Sequence, residues 1–115
     1  MKIKPATQAD LARIEAAARA DGHTSFLPTH FMENERGEVR GCFSAGSFSL
    51  IFFWSHTGNA ACASLKQVAA AKAAAAELGR PVLWPCTVES PFAPHMEKMG
   101  FEILGHANLW RLKNE

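Results

Sequence analysis

The sequence predicts an α/β fold in which a mixed central sheet is flanked by helices, built as a single domain over residues 1–115. Three observations favour this class. Apolar runs have the length and alternation of strands, two stretches have helical periodicity with start and stop signals, and one strand–helix–strand unit follows three consecutive strands. Apolar residues make up 48% of the chain, which is enough for a core without disulfides or a structural metal.

The amino-terminal segment is predicted to form a strand and then a helix. Residues 3–5 are typical of a short strand. Thr7 followed three positions later by Asp10 is a variant of the capping box, and Asp10 suits the positive end of the helix dipole. Gly22 is expected to end this helix. Residues 23–30 fit either a short second helix or an irregular connection.

A meander of three strands comes next. Residues 31–33 favour an extended chain, and residues 34–37 have the composition of a turn. Residues 39–45 alternate as a strand does, and Gly46–Ser47 provides the following turn. Residues 48–54 alternate at first and end as a continuously apolar run, which predicts a central strand that is buried on both faces.

An alanine-rich helix is predicted over residues 60–78 and is expected to end at Gly79. Its polar residues do not share one face, so the pattern does not indicate which side packs. Residues 82–88 favour a strand that Pro85 interrupts. Because proline has no N–H to donate to a ladder, Pro85 indicates an edge, a bulge or a place where two strands part.

The carboxy-terminal part is predicted to contain a short helix and two strands. The helix covers residues 90–99 and stops at Gly100. Strands are expected at residues 101–105 and 106–112. An exposed edge strand here is one route to a homodimer.

Charge and apolar pattern exclude several classes of partner. Twelve basic against eleven acidic residues leave a net charge of +1, which argues against nucleic acid and against an anionic membrane surface. The most apolar run, residues 42–54, is interrupted by Gly46 and falls short of the roughly 20 residues of a membrane span. The opening residues do not resemble a signal peptide, so we expect a cytoplasmic protein.

The three cysteines, Cys42, Cys62 and Cys86, contain no Cys-x-x-Cys pair and lie in apolar surroundings. This pattern favours buried free thiols in a reducing compartment over a redox or nucleophilic role. The histidines have no spacing typical of metal ligands, so no metal site is predicted.

The junction between the apolar strand and the alanine-rich helix is the most informative part of the sequence. Gly58 allows a ligand to approach the backbone, Thr57 or Asn59 can cap the helix, and the small Ala60 and Ala61 leave room for a diphosphate. Free N–H groups and the dipole at a helix start favour an anion. Any strand, loop and helix joined through a glycine would share these features. The junction by itself therefore fits either a phosphate-binding site or an ordinary connection between a strand and a helix.

The same loop, Ser55-His56-Thr57-Gly58-Asn59-Ala60, resembles the pyrophosphate loop of the GNAT acyltransferase family, which is patterned Gln/Arg-x-x-Gly-x-Gly/Ala. Gly58 and Ala60 match that pattern, and Ser55 departs from it. Residues 3–11 resemble the first strand and helix start of the family, and residues 96–102 resemble its Lys-x-Gly-Phe signature. The resemblance covers nearly the whole chain, and it implies that the chain is a short and divergent member of the family.

The resemblance implies a GNAT-like fold with acetyl-CoA as co-substrate, held in a V-shaped gap between the central strand and the next parallel strand. Pro85 would mark the diverging strand. The implied activity is that of an N-acetyltransferase, acting on a primary amine of a small molecule or peptide without a covalent intermediate. The residues implied to bind acetyl-CoA are Phe53, Trp54, Ser55, His56, Thr57, Gly58, Asn59, Ala60 and Ala61.

The catalytic residues are less clearly marked. The family's tyrosine acid corresponds to Met96, and the chain has no tyrosine. Either the thiolate leaves unassisted, or another donor replaces the tyrosine, or the protein is not a catalyst. The alternative donors are Cys86, Ser90 and His95.

Glu89 is the predicted general base because it follows the diverging strand, near where an amine would enter, although a solvated carboxylate would look the same. His56, His30 and Glu33 are other candidates by position. His56 could instead contact a phosphate or face solvent. The alternative function is a non-catalytic GNAT-like module that binds acyl-CoA or a protein partner, and a third is an interaction protein without a CoA site.

Overall fold

In a computed structural model of the chain, five strands form one sheet that lies between two helices. The structure describes residues 1–56, 63–86, 89–90, 93–108, 110 and 112–113. The elements are β1 (Lys2–Pro5), α1 (Leu11–Ala20), β2 (His30–Glu33), β3 (Val39–Ala45), β4 (Leu50–Ser55), α2 (Ala63–Leu78) and β5 (Val82–Leu83). The strands lie in sequence order, and all pairs are antiparallel except β4 with β5. The predicted α/β class with a mixed sheet is confirmed.

The beginning and end of α1 follow the local signals in the sequence. The backbone N–H and the hydroxyl of Thr7 both donate to Oδ2 of Asp10, at 2.9 and 2.8 Å, across a 3-10 turn that precedes α1. Gly22 adopts a φ of +76° and donates to the carbonyl of Arg19 at 3.0 Å, which ends the helix. The connection from α1 to β2 is irregular, so the short second helix is not formed.

The hairpin turns also form where the composition indicates them. Gly37 has a φ of +76° and donates to the carbonyl of Asn34 between β2 and β3. Gly46 donates to the carbonyl of Ser49 at 2.8 Å between β3 and β4. β4 begins at Leu50 rather than at residue 48, and Phe48 is 89% exposed.

Two apolar clusters form the core on opposite faces of the sheet. The cluster under α1 consists of Ile14, Ala18, Phe31, Val39, Cys42 and Trp54. The cluster under α2 consists of Met32, Phe43, Leu50, Phe52, Ala70 and Ala74. Successive strand residues point to opposite faces, and Phe31 and Met32 fall in different clusters. The helices therefore cover the two faces separately.

A row of aromatic rings crosses the sheet on the α2 face. Its members are His30, Phe43, Phe52, Trp84 and Phe101, with successive ring centroids 5.4, 4.9, 4.7 and 6.0 Å apart. Ala70 and Ala74 belong to the same cluster, and their small side chains allow α2 to lie close to these large rings. The structure thus shows which side of α2 packs, which the sequence pattern did not indicate.

The end of α2 is also as predicted. Gly79 has a φ of +66° and donates to the carbonyl of Ala75 at 2.9 Å. The predicted first residues of this helix, 60–62, lie outside the described residues. Among the helices that the structure describes, none has the length and apolar character that a membrane crossing requires.

The predictions for the carboxy-terminal part are largely wrong. Two 3-10 turns, Ala93–His95 and Glu97–Met99, replace the predicted helix, and Gly100 ends the second with a φ of +96°. The described residues of 101–105 and 106–112 form no strand. A strand needs a neighbouring ladder, and β5 is only two residues long, so the sheet edge offers few groups for pairing.

The cysteines differ from one another in environment. Cys42 is buried, and burial raises the pKa of its thiol to about 12, which makes it an inert core residue. The prediction of burial is wrong for Cys86, which is exposed because the chain leaves the sheet after β5. Cys62 lies outside the described residues.

Candidate functional site

The end of β4 contains a β-bulge at Phe53. Cys42 pairs with Trp54 and Phe43 pairs with Phe52, so Phe53 has no partner across the β3–β4 pair. The additional residue places Phe53 and Trp54 against the cluster under α1, whereas Phe52 stays in the cluster under α2. Bulges of this kind re-aim side chains and are frequent beside active sites.

On its other side, β4 parts from β5 at the same level. The parallel pair joins only Leu50 to Val82 and Ile51 to Leu83. Trp84 then turns its ring flat against Phe52, and Pro85 follows without an N–H to donate. Within the described part of the chain, the β5-facing edge of β4 beyond Ile51 has no strand partner. Of the strand predicted at residues 82–88 only Val82–Leu83 forms, and β4 and β5 part just before Pro85, which is one of the three alternatives that the sequence left open for this proline.

Asp21, Trp54 and His56 form a hydrogen-bonded cluster at the end of β4. Oδ2 of Asp21 accepts a hydrogen bond from Nε1 of Trp54 at 2.9 Å and lies 2.6 Å from Nδ1 of His56. The backbone N–H of His56 donates to the carbonyl of Arg40 at 2.8 Å, which fixes the backbone of His56 against β3. A single carboxylate oxygen thereby joins the end of α1 to the end of β4.

The sequence reasoning missed Asp21. Burial by itself would raise the pKa of its carboxyl, but the hydrogen bonds with His56 and Trp54 together hold that pKa below its ordinary value. Asp21 lies at the carboxy-terminal end of α1, where the helix dipole disfavours a negative charge. That unfavourable position is a signal in the sequence that could have suggested a partner elsewhere in the fold.

The connection between α1 and β2 brings an aromatic side chain to the bulge at Phe53. Phe26 has a φ of +50°, a strained value for a residue with a Cβ, and its side chain is 61% exposed. Its ring centroid lies 5.4 Å from that of Phe53 at the bulge. Strain of this kind concentrates at ligand sites, so Phe26 and Phe53 form a candidate apolar wall at the bulge in β4.

Gln67 contributes an unusual buried group on the sheet-facing side of α2. The residue is only 6% exposed, and its Oε1 atom has no hydrogen-bond partner among the described residues. A buried acceptor without a donor costs about 1–3 kcal/mol. Such an atom is a candidate contact for a ligand that carries an N–H or O–H group.

A groove of about 430 Å³ runs along the other side of α2, next to the 3-10 turn Glu97–Met99. It is lined by Leu65, Val68, Ala69, Lys72, Lys98 and Met99. Two ammonium groups therefore flank an apolar floor, an arrangement that suits an anionic ligand with a hydrophobic part.

The predicted site residues fall into two groups. Phe53, Trp54, Ser55 and His56 lie together at the end of β4. The remaining predicted acetyl-CoA contacts, Thr57, Gly58, Asn59, Ala60 and Ala61, lie outside the described residues. Glu89 is exposed in a turn, and no contact among the described residues joins it to His56 or Asp21.

The other candidate bases have structural partners. His30 lies in the aromatic row, and burial together with Arg80 lowers the pKa of its ring. Glu33 is held by Lys4 at 2.8 Å and Arg13 at 3.1 Å, and these hydrogen bonds lower its pKa. A carboxylate paired in this way is a weaker base. Across the described ranges, no group of three or more His, Cys, Asp or Glu side chains could hold a metal ion.

The fold and the site together define an α/β protein with a five-stranded mixed sheet that opens at the end of β4. No protein-family model matches the chain, and no curated protein matches it.

Proposed function

We propose that this chain has the GNAT fold and is an N-acetyltransferase that transfers the acetyl group of acetyl-CoA to a primary amine of a small molecule or peptide. One observation carries the proposal: β4 parts from β5 beyond Ile51, beside the bulge at Phe53. Backbone N–H and C=O groups along this edge need partners. An extended arm that contains amides can pair with such an edge as an added strand does, and the pantetheine arm of CoA is an arm of that kind.

Gln67 supports the fit of this arm. Gln67 lies about one turn nearer than Ala70 to the start of α2, on the buried face of the helix that packs in the cluster with Phe52. An amide N–H of the arm would satisfy the Oε1 atom that has no partner among the described residues.

The phosphate groups of acetyl-CoA would lie at the start of α2. Helix amino-termini bind phosphate through free N–H groups and the dipole, and Gly58 to Ala61 precede the described part of this helix. Lys72 and Lys98 at the neighbouring groove add positive charge for an anionic nucleotide.

Acetyl-CoA supplies an acyl group that is already activated as a thioester. The chain has to bind it, orient it and remove a proton from the attacking amine. Backbone N–H groups on the β5-facing edge of β4 beyond Ile51 have no strand partner among the described residues, so one of them is a candidate donor to the thioester oxygen. Glu89 is the base predicted from the sequence.

Acetyl-CoA is expected to stabilise the wild-type protein and to lose this effect in Gly58→Glu. A ligand at about 100 times its Kd adds roughly 2.7 kcal/mol to the free energy of unfolding. A carboxylate at Gly58 would fill the loop and repel the diphosphate. Thermal unfolding with and without acetyl-CoA measures both effects. Ser47→Glu adds the same charge in an exposed turn and serves as control. An undiminished shift in Gly58→Glu would contradict a phosphate site at this loop.

Gln67→Leu is expected to raise the Tm of the free protein and to weaken acetyl-CoA binding. The substitution removes a buried acceptor that costs about 1–3 kcal/mol, and it also removes the proposed partner of the pantetheine amide. Thermal unfolding and calorimetric titration measure the two effects. Gln8→Leu changes an exposed glutamine and should alter neither. Full affinity in Gln67→Leu would remove Gln67 from the binding site.

A non-catalytic acyl-CoA-binding or protein-interaction module is the second candidate, and one observation favours it. Several apolar side chains of the carboxy-terminal segment are largely exposed: Ile103 (67%), Leu104 (74%), Trp110 (87%) and Leu112 (91%). Exposed apolar surface of this kind is typical of a docking region. Stabilisation by acetyl-CoA without thiol release over a panel of amines would favour this candidate.

A further inference from the structure

We infer that His56, held by Asp21, is the general base of the acyl transfer, in place of Glu89. The inference rests on the proposed function, and it assigns different roles to His56 and Asp21. His56 would take the proton of the amine. Asp21 would act as a positioning residue, and Trp54 would keep the Asp21 carboxylate in place.

The geometry determines which nitrogen of His56 is available. Nδ1 lies 2.6 Å from Oδ2 of Asp21, whose hydrogen bonds with Trp54 and His56 favour the ionised carboxylate. A carboxylate only accepts hydrogen bonds, so neutral His56 has to carry its proton on Nδ1. Nε2 then presents a lone pair. Among the described residues Nε2 has no hydrogen-bond partner, and the side chain is 29% exposed.

His56 is held at its backbone and at one ring nitrogen, as a positioned base requires. The backbone of His56 is anchored to the carbonyl of Arg40, and its Nδ1 is held by Asp21. Asp21 is itself fixed by the buried Trp54, which is 2% exposed. The hydroxyl or carboxylate of a freely rotating side chain would lack this orientation.

His56 also lies at the opening that the proposed function uses. It follows the last residue of β4, after the bulge at Phe53 and the point where β5 departs. The ring centroid of the exposed Phe26 lies 5.4 Å from that of Phe53, the residue at the bulge. Glu89 has no contact with this cluster among the described residues, whereas His56 belongs to it.

The proton transfer can be written completely. Nε2 of His56 accepts a proton from the amine nitrogen as that nitrogen bonds to the thioester carbon. The C–S bond breaks, its electron pair stays on sulfur, and the thiolate takes a proton from water. His56 then returns its proton to solvent. The products are an amide and free CoA, and no oxidant or further reactant is needed.

The charged groups around His56 lie at the end of α1 and on β3. From the end of α1, Asp21 faces it directly, and His23 interacts electrostatically with Asp21. From β3, Arg40 is paired with Glu38. In Asp21→Asn the side-chain amide could donate to Nδ1 as well as accept from it, so the proton of neutral His56 would no longer be held on Nδ1.

The experiment compares wild type, His56→Gln, Asp21→Asn and His23→Gln. Thiol release from acetyl-CoA is followed from pH 5 to 9 with phenethylamine, spermidine and a lysyl peptide as acceptors, and Tm is recorded with and without acetyl-CoA. We expect kcat/KM to fall about 10²–10⁴-fold in His56→Gln, with stabilisation by acetyl-CoA retained. Asp21→Asn should lose at least about tenfold in kcat/KM, with stabilisation by acetyl-CoA retained. His23→Gln should keep the wild-type profile.

The outcomes separate this inference from the proposed function. If wild type is neither stabilised by acetyl-CoA nor releases thiol with any acceptor, both are overturned. If wild type turns over but His56→Gln keeps its rate and pH profile, only the role of His56 is overturned. A lower Tm in Asp21→Asn with the wild-type kcat/KM would show that Asp21 has only a structural role. Nitrogen-15 NMR adds an independent readout, because neutral His56 should carry its proton on Nδ1, and a proton on Nε2 would contradict the mechanism.

Discussion

Phe52→Ala is expected to lower the free energy of unfolding by about 3–5 kcal/mol, the usual cost of deleting a buried phenylalanine side chain. Phe52 is 1% exposed and lies between Phe43 and Trp84, with ring centroids at 4.9 and 4.7 Å. Its loss would open a cavity under α2 and remove two stacking contacts. For a domain with about 5–15 kcal/mol of total stability, this loss is large.

Urea denaturation measures the effect, and Phe48→Ala provides the matched control. Phe48 precedes the same strand but is 89% exposed, so its truncation should change stability by no more than about 0.5 kcal/mol. The near-ultraviolet signal of Trp84 should change only in Phe52→Ala, because that ring loses its stacking partner. A loss below about 1 kcal/mol in Phe52→Ala would mean that the aromatic row is not an important part of the core.

Gly41→Val is expected to lower the free energy of unfolding by about 3 kcal/mol and to disturb the end of β4. A Cβ at Gly41 would lie 3.0 Å from the backbone oxygen of Trp54 and 3.4 Å from Sδ of Met32. The Met32 side chain can adjust, but the Trp54 carbonyl cannot move without separating β3 from β4 at the bulge. Because His56 follows directly, acetyl-CoA binding should weaken as well.

Denaturation and acetyl-CoA titration of Gly41→Val test both parts, with Gly46→Val as control. Gly46 lies in the β3–β4 turn, where an added Cβ would meet, among the described residues, the backbone oxygen of Ser49 at the ordinary contact distance of 3.4 Å. The control should lose about 1 kcal/mol or less and bind normally. If both variants lose the same stability, the close approach of β3 to β4 at Gly41 is not the cause of the loss in Gly41→Val.

Much of the fold could be predicted because its signals are local. The Thr7–Asp10 cap, the turn at Gly37 and the helix end at Gly79 each depend on groups within a few residues of one another. Apolar periodicity likewise indicates strands and helices without knowledge of their neighbours. The carboxy-terminal strands failed for the opposite reason. Residues 101–105 have a strand pattern, but a strand forms only where another strand offers a ladder, and β5 ends at Leu83.

The candidate site was predicted only in part. The sequence directed attention to the end of β4, and Trp54 and His56 lie there in the structure. Asp21 was missed because it is 35 positions away from His56 in the chain, and no periodicity relates the two. Gln67 was missed because the polar residues of α2 do not share one face, so the sequence did not show which face of the helix is buried.

By itself, the sequence determined the fold class, most element boundaries up to β5, and the segment where a ligand site is expected. The tertiary structure decided which side chains meet there. The bulge at Phe53 turns Trp54 toward the end of α1, where its indole reaches Asp21, and the same carboxylate reaches His56. The physical reason is range: caps and periodicity arise from neighbouring groups, whereas a shared carboxylate depends on strand register and on how the helix packs across the sheet.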